Sequence, residues 1–344
     1  MKPEDTVRRG FEHYALFYEG SEDYLAGTKE FMEAGLATGE RVLVSVPGEK
    51  IGPMRAALNG GSDLVEFWNM NELGRNPGRI IPAVRDWVER GEARCRFIGE
   101  PIWPGRSAVE VVEATRHEAL INLAFADAEA TILCPYDVAG LEPDVLLDAE
   151  RTHPDLIRCG HGYASERYTD PLDLWWAGSW ALPTPPQSPT SRPIGLDLRE
   201  IREFTARAAR EAGLLEAQRL RDVVLAVDEA ATNALVHGSG PAQLRIWRDP
   251  QELICEISDR GCLTEPLAGR RRPSPDWLHG RGVWMMNQLC DLVELRPTAA
   301  GTVVRLHVRL SGAAAGASAA DPGSRVKLAE LHASGRLDGA GSPD

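Results

Sequence analysis

The chain lacks the sequence patterns that mark several large classes of protein. Its six cysteines form no C-x-x-C pair, which argues against a zinc ribbon or a thioredoxin motif and favours reduced core residues. No apolar run reaches the length of a transmembrane helix, and residues 1–5 do not begin a signal peptide. Basic residues number 38 against 51 acidic ones, and the net charge of −13 disfavours binding to a DNA backbone. We therefore expect a cytoplasmic protein with no membrane and no direct nucleic-acid partner, whose partner is another protein.

The length of 344 residues and the apolar content of 43% allow two domains, each with its own core. A stretch rich in Pro, Ser and Thr, from Ala181 to Pro193, is typical of an extended linker. Residues 311–324 are mostly Ala, Gly and Ser, which indicates disorder. These shifts predict a first domain over 1–176, a linker over 177–195, a second domain over 196–310 and a disordered tail over 311–344.

Strand-like and helix-like segments alternate along the first domain, which predicts a mainly parallel sheet with helices on both sides. The predicted strands cover 41–47, 64–68, 93–99 and 130–134. The predicted helices cover 23–37, 51–58, 80–90 and 107–126. A P-loop is the natural site on such a sheet, but Gly27-Thr28-Lys29 lacks the Gly-x-x-x-x-Gly-Lys-Ser/Thr order. We expect instead a ligand pocket at the carboxyl ends of the strands, with five candidate lining residues: His13, Glu100, Trp103, Arg106 and His117.

Three short segments of this domain resemble the MEDS sensory domain. They run from His13 to Tyr18, from Gly99 to Trp103 and from Cys134 to Asp137. The resemblance covers roughly residues 10–170. It implies a three-layer α/β fold of the RecA or Rossmann type and a sensory role.

The most informative stretch lies in the second domain, from Asp228 to Gly238, where the apolar spacing predicts a helix. Glu229, Asn233 and His237 recur every four residues on one face of this helix. A carboxylate and an amide oxygen one turn apart can hold a hard cation with a water or hydroxyl beside it. The helix therefore predicts half of a Mg-nucleotide site.

Three later motifs complete this prediction. A strand ends at Asp259 with Gly261 close behind; a carboxylate there can accept a hydrogen bond from the exocyclic amine of adenine, and the glycine lets the backbone pass close to a ring. Gly280 and Gly282 open a helix whose N–H groups could face phosphate. Thr302 stands at the start of a closing strand.

Taken in order, the four motifs resemble the GHKL (Bergerat) ATPase fold and, more narrowly, the anti-sigma regulatory factor kinases of bacteria. The resemblance covers about residues 195–310 and implies a two-layer α/β sandwich that binds ATP and Mg²⁺. It further implies a switch protein that controls a sigma factor, with protein serine/threonine kinase activity toward an anti-anti-sigma protein of the STAS type. Kinases of this type often form homodimers, and the sequence leaves the oligomeric state open.

The same resemblance assigns roles to individual residues. Glu229 corresponds to the catalytic base that activates a serine hydroxyl, and Asn233 to the Mg²⁺ ligand. The other nucleotide-binding positions it implies are Asp259 and Gly261 at the adenine, Gly280, Arg281 and Gly282 at the phosphates, and Thr302 behind the adenine.

Two departures from the family pattern favour ATP binding over phosphoryl transfer. Leu263 stands where many GHKL proteins have a second glycine, and residues 277–279 lack the basic side chain that kinase members often carry. Nearby substitutes are Arg270, Arg271, Arg272 and Arg281. Transfer requires charge placed on the γ-phosphate, which binding alone does not.

Two alternative functions remain open at this stage. One is a sensor histidine kinase that uses His117 as its phospho-acceptor. The other is a non-catalytic protein that binds nucleotide only to set a conformation and sequesters its partner.

Overall fold

The computed structural model describes residues 10–58, 60–91, 93–176, 182–274 and 280–310. These residues form one sheet of seven strands and another of five. Among them, no helix is both long and apolar enough to cross a membrane. The predicted tail over 311–344 and residues 177–181 of the predicted linker lie outside the described residues.

The first domain is built on the seven-stranded sheet. Its strands are β1 (Glu12–Tyr18), β2 (Arg41–Val46), β3 (Val65–Asn69), β4 (Cys95–Gly99), β5 (Ala130–Asp137), β6 (Asp155–Arg158) and β7 (His161–Ala164). Its helices are α1 (Gly20–Ala37), α2 (Gly48–Ala57), α3 (Met70–Leu73), α4 (Ile80–Glu89), α5 (Ala108–Ala124), α6 (Pro143–Thr152) and α7 (Pro171–Trp176). Two short 3₁₀ helices lie at Gly61–Leu64 and Pro77–Arg79. The strand order is β3-β2-β4-β5-β1-β6-β7, and every pair is parallel except β6 with β7.

Helices cover both faces of this sheet. Leu16 and Tyr18 of β1 enter a buried cluster with α1 and α2, whereas Ala15 and Phe17 enter a second cluster with α4, α5 and α6. This alternation follows from the two-residue period of a strand, and it explains why β1 is continuously apolar from Ala15 to Tyr18. The predicted three-layer α/β architecture is confirmed.

The second domain is built on the five-stranded sheet. Its strands are β8 (Thr190–Ile194), β9 (Ala242–Asp249), β10 (Glu252–Asp259), β11 (Leu292–Thr298) and β12 (Gly301–Arg309). Its helices are α8 (Leu198–Glu211), α9 (Ala217–His237) and α10 (Gly282–Leu289), and all three pack on one face. The order is β11-β12-β10-β9-β8 with every pair antiparallel, which gives the predicted GHKL two-layer sandwich.

Strand β8 falls inside the segment predicted as a linker. Its residues pair with β9, and Pro193 stands opposite Gln243. Proline is tolerated there because β8 is an edge strand, so that the missing N–H removes no inner hydrogen bond. Because of its proline-rich composition, the whole segment was predicted as a linker, and the strand at its carboxyl end was missed.

The two domains meet through charged groups. Arg79 donates from Nε to the carbonyl of Asn287 at 2.7 Å and from Nη2 to that of Cys290 at 2.8 Å. Arg116 on α5 donates to the carbonyl of Leu295 in β11 at 2.9 Å. Helix α5 of the first domain thus lies against the face of the five-stranded sheet that α8, α9 and α10 do not cover.

Candidate nucleotide-binding site

A cavity of about 520 Å³ opens between α9, the end of β10, the start of β12 and the start of α10. Its volume lies within the range of about 300–1,000 Å³ that is usual for small-molecule sites. Six of the eight predicted site residues line it, as does His237; the six are Asn233, Asp259, Gly261, Gly280, Gly282 and Thr302. Glu229 and Arg281 are not among the lining residues. Motifs separated by up to 70 residues therefore meet around one space.

One end of the cavity is shaped by Asp259, Gly261 and Thr302. Asp259 and Thr302 are paired across β10 and β12. The Gly261 N–H donates to Asp259 Oδ1 at 2.6 Å, and the Thr302 hydroxyl donates to the Gly261 carbonyl at 2.9 Å. A Cβ on Gly261 would lie 2.6 Å from the His237 carbonyl oxygen, so only glycine lets the chain pass here. These contacts fix an acceptor carboxylate at the cavity wall, as recognition of an adenine amine requires.

The other end holds the polar face of α9. A Cβ built on Gly282 would lie 3.0 Å from Glu229 Oε2 and 3.0 Å from Asn233 Nδ2, which places all three groups together at the start of α10. Both polar side chains are half-buried. Burial, followed by the neighbouring charge of Asp228, raises the pKa of Glu229. A carboxylate with a raised pKa is a better proton acceptor, which suits the role predicted for it.

The remaining predicted residues lie at the rim. His237 is exposed, and Gly280 adopts a φ of +89°, a left-handed conformation that favours glycine. Arg281 caps α10 and donates to the Ser274 carbonyl at 3.3 Å. Residues 277–279, where a basic side chain was sought, lie outside the described residues. Of the nearby arginines, Arg271 lines the cavity.

Residues 262–274, which we call the lid segment, connect β10 toward α10 and border the cavity. Arg270 and Arg272 in this segment face the first domain: Arg270 donates to the Pro77 carbonyl at 3.3 Å, and Arg272 lies 2.7 Å from Asp86. Leu267 is buried in a cluster formed otherwise by residues of the first domain, with Leu263 at its edge. This contact between the domains could not be predicted from the sequence, because arginines before a glycine-rich turn are equally typical of a phosphate-facing role.

The five residues predicted to line a pocket in the first domain do not come together. Glu100 is buried at the carboxyl end of β4, where Tyr24 donates to it at 3.1 Å and burial raises the pKa of its carboxyl to about 7. Arg106 stacks over Trp103 at 4.5 Å. His13 lies at the opposite, amino end of β1. The prediction of one pocket shared by all five residues was wrong because His13 and Glu100 lie at opposite ends of the parallel strands.

His117, the candidate phospho-acceptor, is 1% exposed on α5. Burial lowers the pKa of its ring to about 3. A ring buried in this position cannot reach the nucleotide of a catalytic domain. The geometry therefore disfavours the histidine-kinase alternative.

Comparison with protein families agrees with this division of the chain. Residues 12–154 match the family described as MEDS, the methanogen/methylotroph, DcmR sensory domain, and residues 194–308 match the histidine kinase-like ATPase domain. The chain joins a MEDS domain to a GHKL-type ATPase domain. No curated protein matches it. A sensory domain followed by an ATPase domain is the organisation of a signalling regulator, and the GHKL-type domain supports nucleotide binding.

Proposed function

We propose that this protein is a MgATP-dependent regulator of the anti-sigma type, which controls a sigma factor and phosphorylates an anti-anti-sigma antagonist on serine or threonine. The observation that carries the proposal is the convergence of Asn233, Gly282 and Asp259 on the wall of one cavity. Glu229 stands directly behind that wall, where its carboxylate and the Asn233 amide both lie 3.0 Å from a Cβ built on Gly282. A carboxylate base, a hard-cation ligand and an adenine acceptor are three of the groups this reaction requires. The charge on the γ-phosphate would come from Arg271, which lines the cavity.

The chain's own residues would divide the work as follows. Asp259, held by Gly261, would accept a hydrogen bond from the adenine amine, with Thr302 fixing the turn behind it. Asn233 would hold Mg²⁺ through its amide oxygen. Glu229 would take the proton from the attacking hydroxyl of the substrate protein, and its raised pKa favours that step. MgATP supplies the phosphoryl group when bound.

The charge of the chain supports a protein partner. A net charge of −13 favours association with a protein that presents a basic surface. A sigma factor or a STAS-type antagonist with such a surface is the partner we propose.

The docked lid segment supports control by the sensory domain. The lid segment contacts the first domain through Leu267, Arg270 and Arg272, and Leu267 also lines the cavity. A change in the first domain would therefore reach the nucleotide site without passing through the linker.

Two matched substitutions on α9 test the site. Asn233→Ala is expected to abolish Mg²⁺-dependent ATP binding, since it removes the proposed metal ligand. Glu229→Ala is expected to retain MgATP binding and to lose phosphoryl transfer to a purified antagonist. Binding is measured by calorimetry with and without Mg²⁺, and transfer with γ-labelled ATP. Unchanged MgATP affinity in Asn233→Ala would sink the nucleotide-site assignment.

The outcome for Glu229→Ala separates the remaining functions. Transfer at the wild-type rate would exclude Glu229 as the base. No transfer by the wild-type chain, together with partner sequestration that persists in Glu229→Ala, would support the non-catalytic alternative. Acid-labile self-labelling that His117→Gln abolishes would support a histidine kinase.

The partner is tested by capture of the tagged full-length chain from its host lysate, with and without MgATP. A sigma factor or STAS-type protein recovered in nucleotide-dependent yield is the expected result. A response regulator recovered in its place would contradict the proposal.

A further inference from the structure

Four side chains able to bind a metal converge inside the first domain, away from the nucleotide site. His13 comes from β1, Cys134 from β5, Glu118 from α5 and His153 from the residue that ends α6. His13, Glu118 and His153 have no exposed surface, and Cys134 is 1% exposed. One ligand atom from each lies within 4.8 Å of all the others.

The distances within this cluster match a tetrahedral site. Glu118 Oε2 lies 3.3 Å from His13 Nε2, 3.4 Å from His153 Nε2 and 3.2 Å from Cys134 Sγ. Cys134 Sγ lies 3.5 Å from His13 Nε2. Zinc bonds of about 2.0–2.3 Å at tetrahedral angles separate neighbouring ligand atoms by roughly 3.2–3.6 Å. Four of the six separations between ligand atoms therefore match a bound zinc ion, and the two that join His153 to His13 and to Cys134 lie within 4.8 Å.

Both imidazoles are oriented by hydrogen bonds at their outer nitrogen. His153 Nδ1 lies 2.9 Å from the Ala149 carbonyl, which can only accept, so the ring donates there. His13 Nδ1 lies 3.1 Å from Asn122 Oδ1, and the Asn122 amide nitrogen donates to the Thr152 carbonyl at 2.8 Å, which fixes the direction of the amide. Each neutral ring therefore turns the lone pair of Nε2 toward the centre. This is the outer-shell arrangement that accompanies histidine ligands in metal sites.

Without a cation, the centre of the cluster is electrostatically unfavourable. Glu118 Oε1 and His153 Nε2 are buried with no hydrogen-bond partner among the described residues. The Cys134 thiol donates to Glu118 Oε2 at 3.2 Å, but the two unpartnered atoms face a dry interior, where a bound cation would satisfy both.

We propose that the first domain binds one zinc ion through His13, Glu118, Cys134 and His153. Two imidazoles, a thiolate and a carboxylate form a donor set that suits zinc and excludes Mg²⁺ and Ca²⁺, which take oxygen ligands. All four positions come from the protein and none is open to solvent, which is typical of a zinc site that holds structure. The site is independent of the nucleotide cavity and of the function proposed for it.

The test uses the full-length chain, stripped with a chelator and titrated with Zn²⁺ or Co²⁺. One metal ion per chain is expected by mass spectrometry, and the Co²⁺ form is expected to show a thiolate-to-cobalt absorption band. Cys134→Ser should abolish that band and weaken Zn²⁺ binding at least tenfold. Cys95→Ser, which removes another buried thiol of the same sheet, should change neither.

A second variant keeps the test decisive if a ligand substitution harms folding. Asn122→Ala leaves all four ligands in place and removes the acceptor that orients His13, so Zn²⁺ affinity should fall about 10–100-fold with the cobalt–thiolate band retained. Folding is checked by circular dichroism. A folded wild-type chain that binds neither ion, or a Cys134→Ser chain that keeps the band, overturns the proposal.

Discussion

The key residues of the nucleotide site are small or half-buried. Glu229 and Asn233 are reached through the space that Gly282 leaves, since a side chain there would contact both. A side chain at Gly261 would likewise contact the carboxylate of Asp259. The site thus depends on the space that its glycines leave as much as on its polar side chains. A substitution that adds a single Cβ atom at one of these glycines tests this dependence.

Gly282→Ala is expected to weaken MgATP binding about tenfold or more. The new Cβ would lie 3.0 Å from Glu229 Oε2 and from Asn233 Nδ2, so both groups must move out of position. Tenfold corresponds to about 1.4 kcal/mol, which calorimetry resolves. Gly195→Ala is the matched control, because a Cβ at Gly195 meets nothing within 4 Å. Equal affinities for the two variants would contradict the geometry.

Cys262 offers a chemical probe of the same cavity. It is exposed and lines the cavity, whereas Cys159 is exposed in the first domain. We expect MgATP to slow alkylation of Cys262 several-fold and to leave Cys159 unchanged, as measured by mass spectrometry of modified peptides. Buried thiols such as Cys95, whose pKa burial raises to about 11, should react slowly with or without nucleotide. Protection of Cys159 to the same extent would mean a global effect and not occupancy of the cavity.

At the scale of elements, strand β12 has an apolar face toward the helices of the second domain and a charged face on the other side of the sheet. Val304, Leu306 and Val308 face the helices of the second domain. Arg305 and His307 face the other side, where Arg305 lies 2.7 Å from Glu256. This outer face is charged yet buried, which demands that every charge be paired.

His307 makes the stability of the second sheet depend on pH. Burial alone lowers the pKa of its ring, but hydrogen bonds at 2.9 Å to Glu252 and Glu294 outweigh burial and raise the pKa to about 9. Because the folded state holds this proton more tightly, the stabilisation is complete below pH 6.5 and is lost as pH rises through 9. Its size is at most about 3 kcal/mol.

His307→Gln should therefore flatten the fall in unfolding free energy between pH 6.5 and 9, measured by urea titration. His161→Gln, at an exposed position, should leave that slope as in the wild type. A slope in His307→Gln equal to that of the wild type would show that another group is responsible.

Elements with a strong local pattern could be predicted from the sequence, and elements defined by distant partners could not. The predicted strand at 41–47 corresponds to β2, and the predicted helix at 80–90 to α4. Strand β8 was missed because its pairing with β9 bridges about fifty residues and its composition is that of a linker. Strand β6 and the edge strand β7 are only four residues long, which is too short for a periodic signal.

The same limit applies to the sites. The residues proposed to bind nucleotide fall in compact motifs that keep their order, so the meeting of six of them around one cavity could be predicted. His13, Glu118, Cys134 and His153 are scattered over 140 residues without a recognisable spacing. Only the parallel pairing of β1 with β5, and the packing of α5 on that face, brings them together.

At the scale of the whole molecule, the first domain contacts the lid segment, which borders the nucleotide cavity. Leu267→Ala is expected to loosen the lid segment, because the side chain is 6% exposed and packs in the cluster of the first domain. A segment held in place binds more tightly than one that must be ordered, so MgATP affinity should fall about fivefold or more.

Hydrogen exchange provides the readout for this prediction. Amides of the lid segment should exchange faster in Leu267→Ala, while those of α9 stay protected. Leu196→Ala, at a side chain that is 93% exposed, is the control and should change neither exchange nor affinity. Unaltered lid exchange in Leu267→Ala would show that the first domain does not restrain it.

The charged contact between the domains limits how this architecture can be recombined. Glu113 of α5 is 1% exposed and lies against Arg116, Arg270 and Arg296, so two of its three cationic neighbours belong to the second domain. A chimera that exchanged residues 1–176 for another input module would bring buried arginines against a foreign surface. The natural unit of exchange is therefore an input domain together with the lid segment fitted to it, and lineages that shuffle such proteins should change both at once.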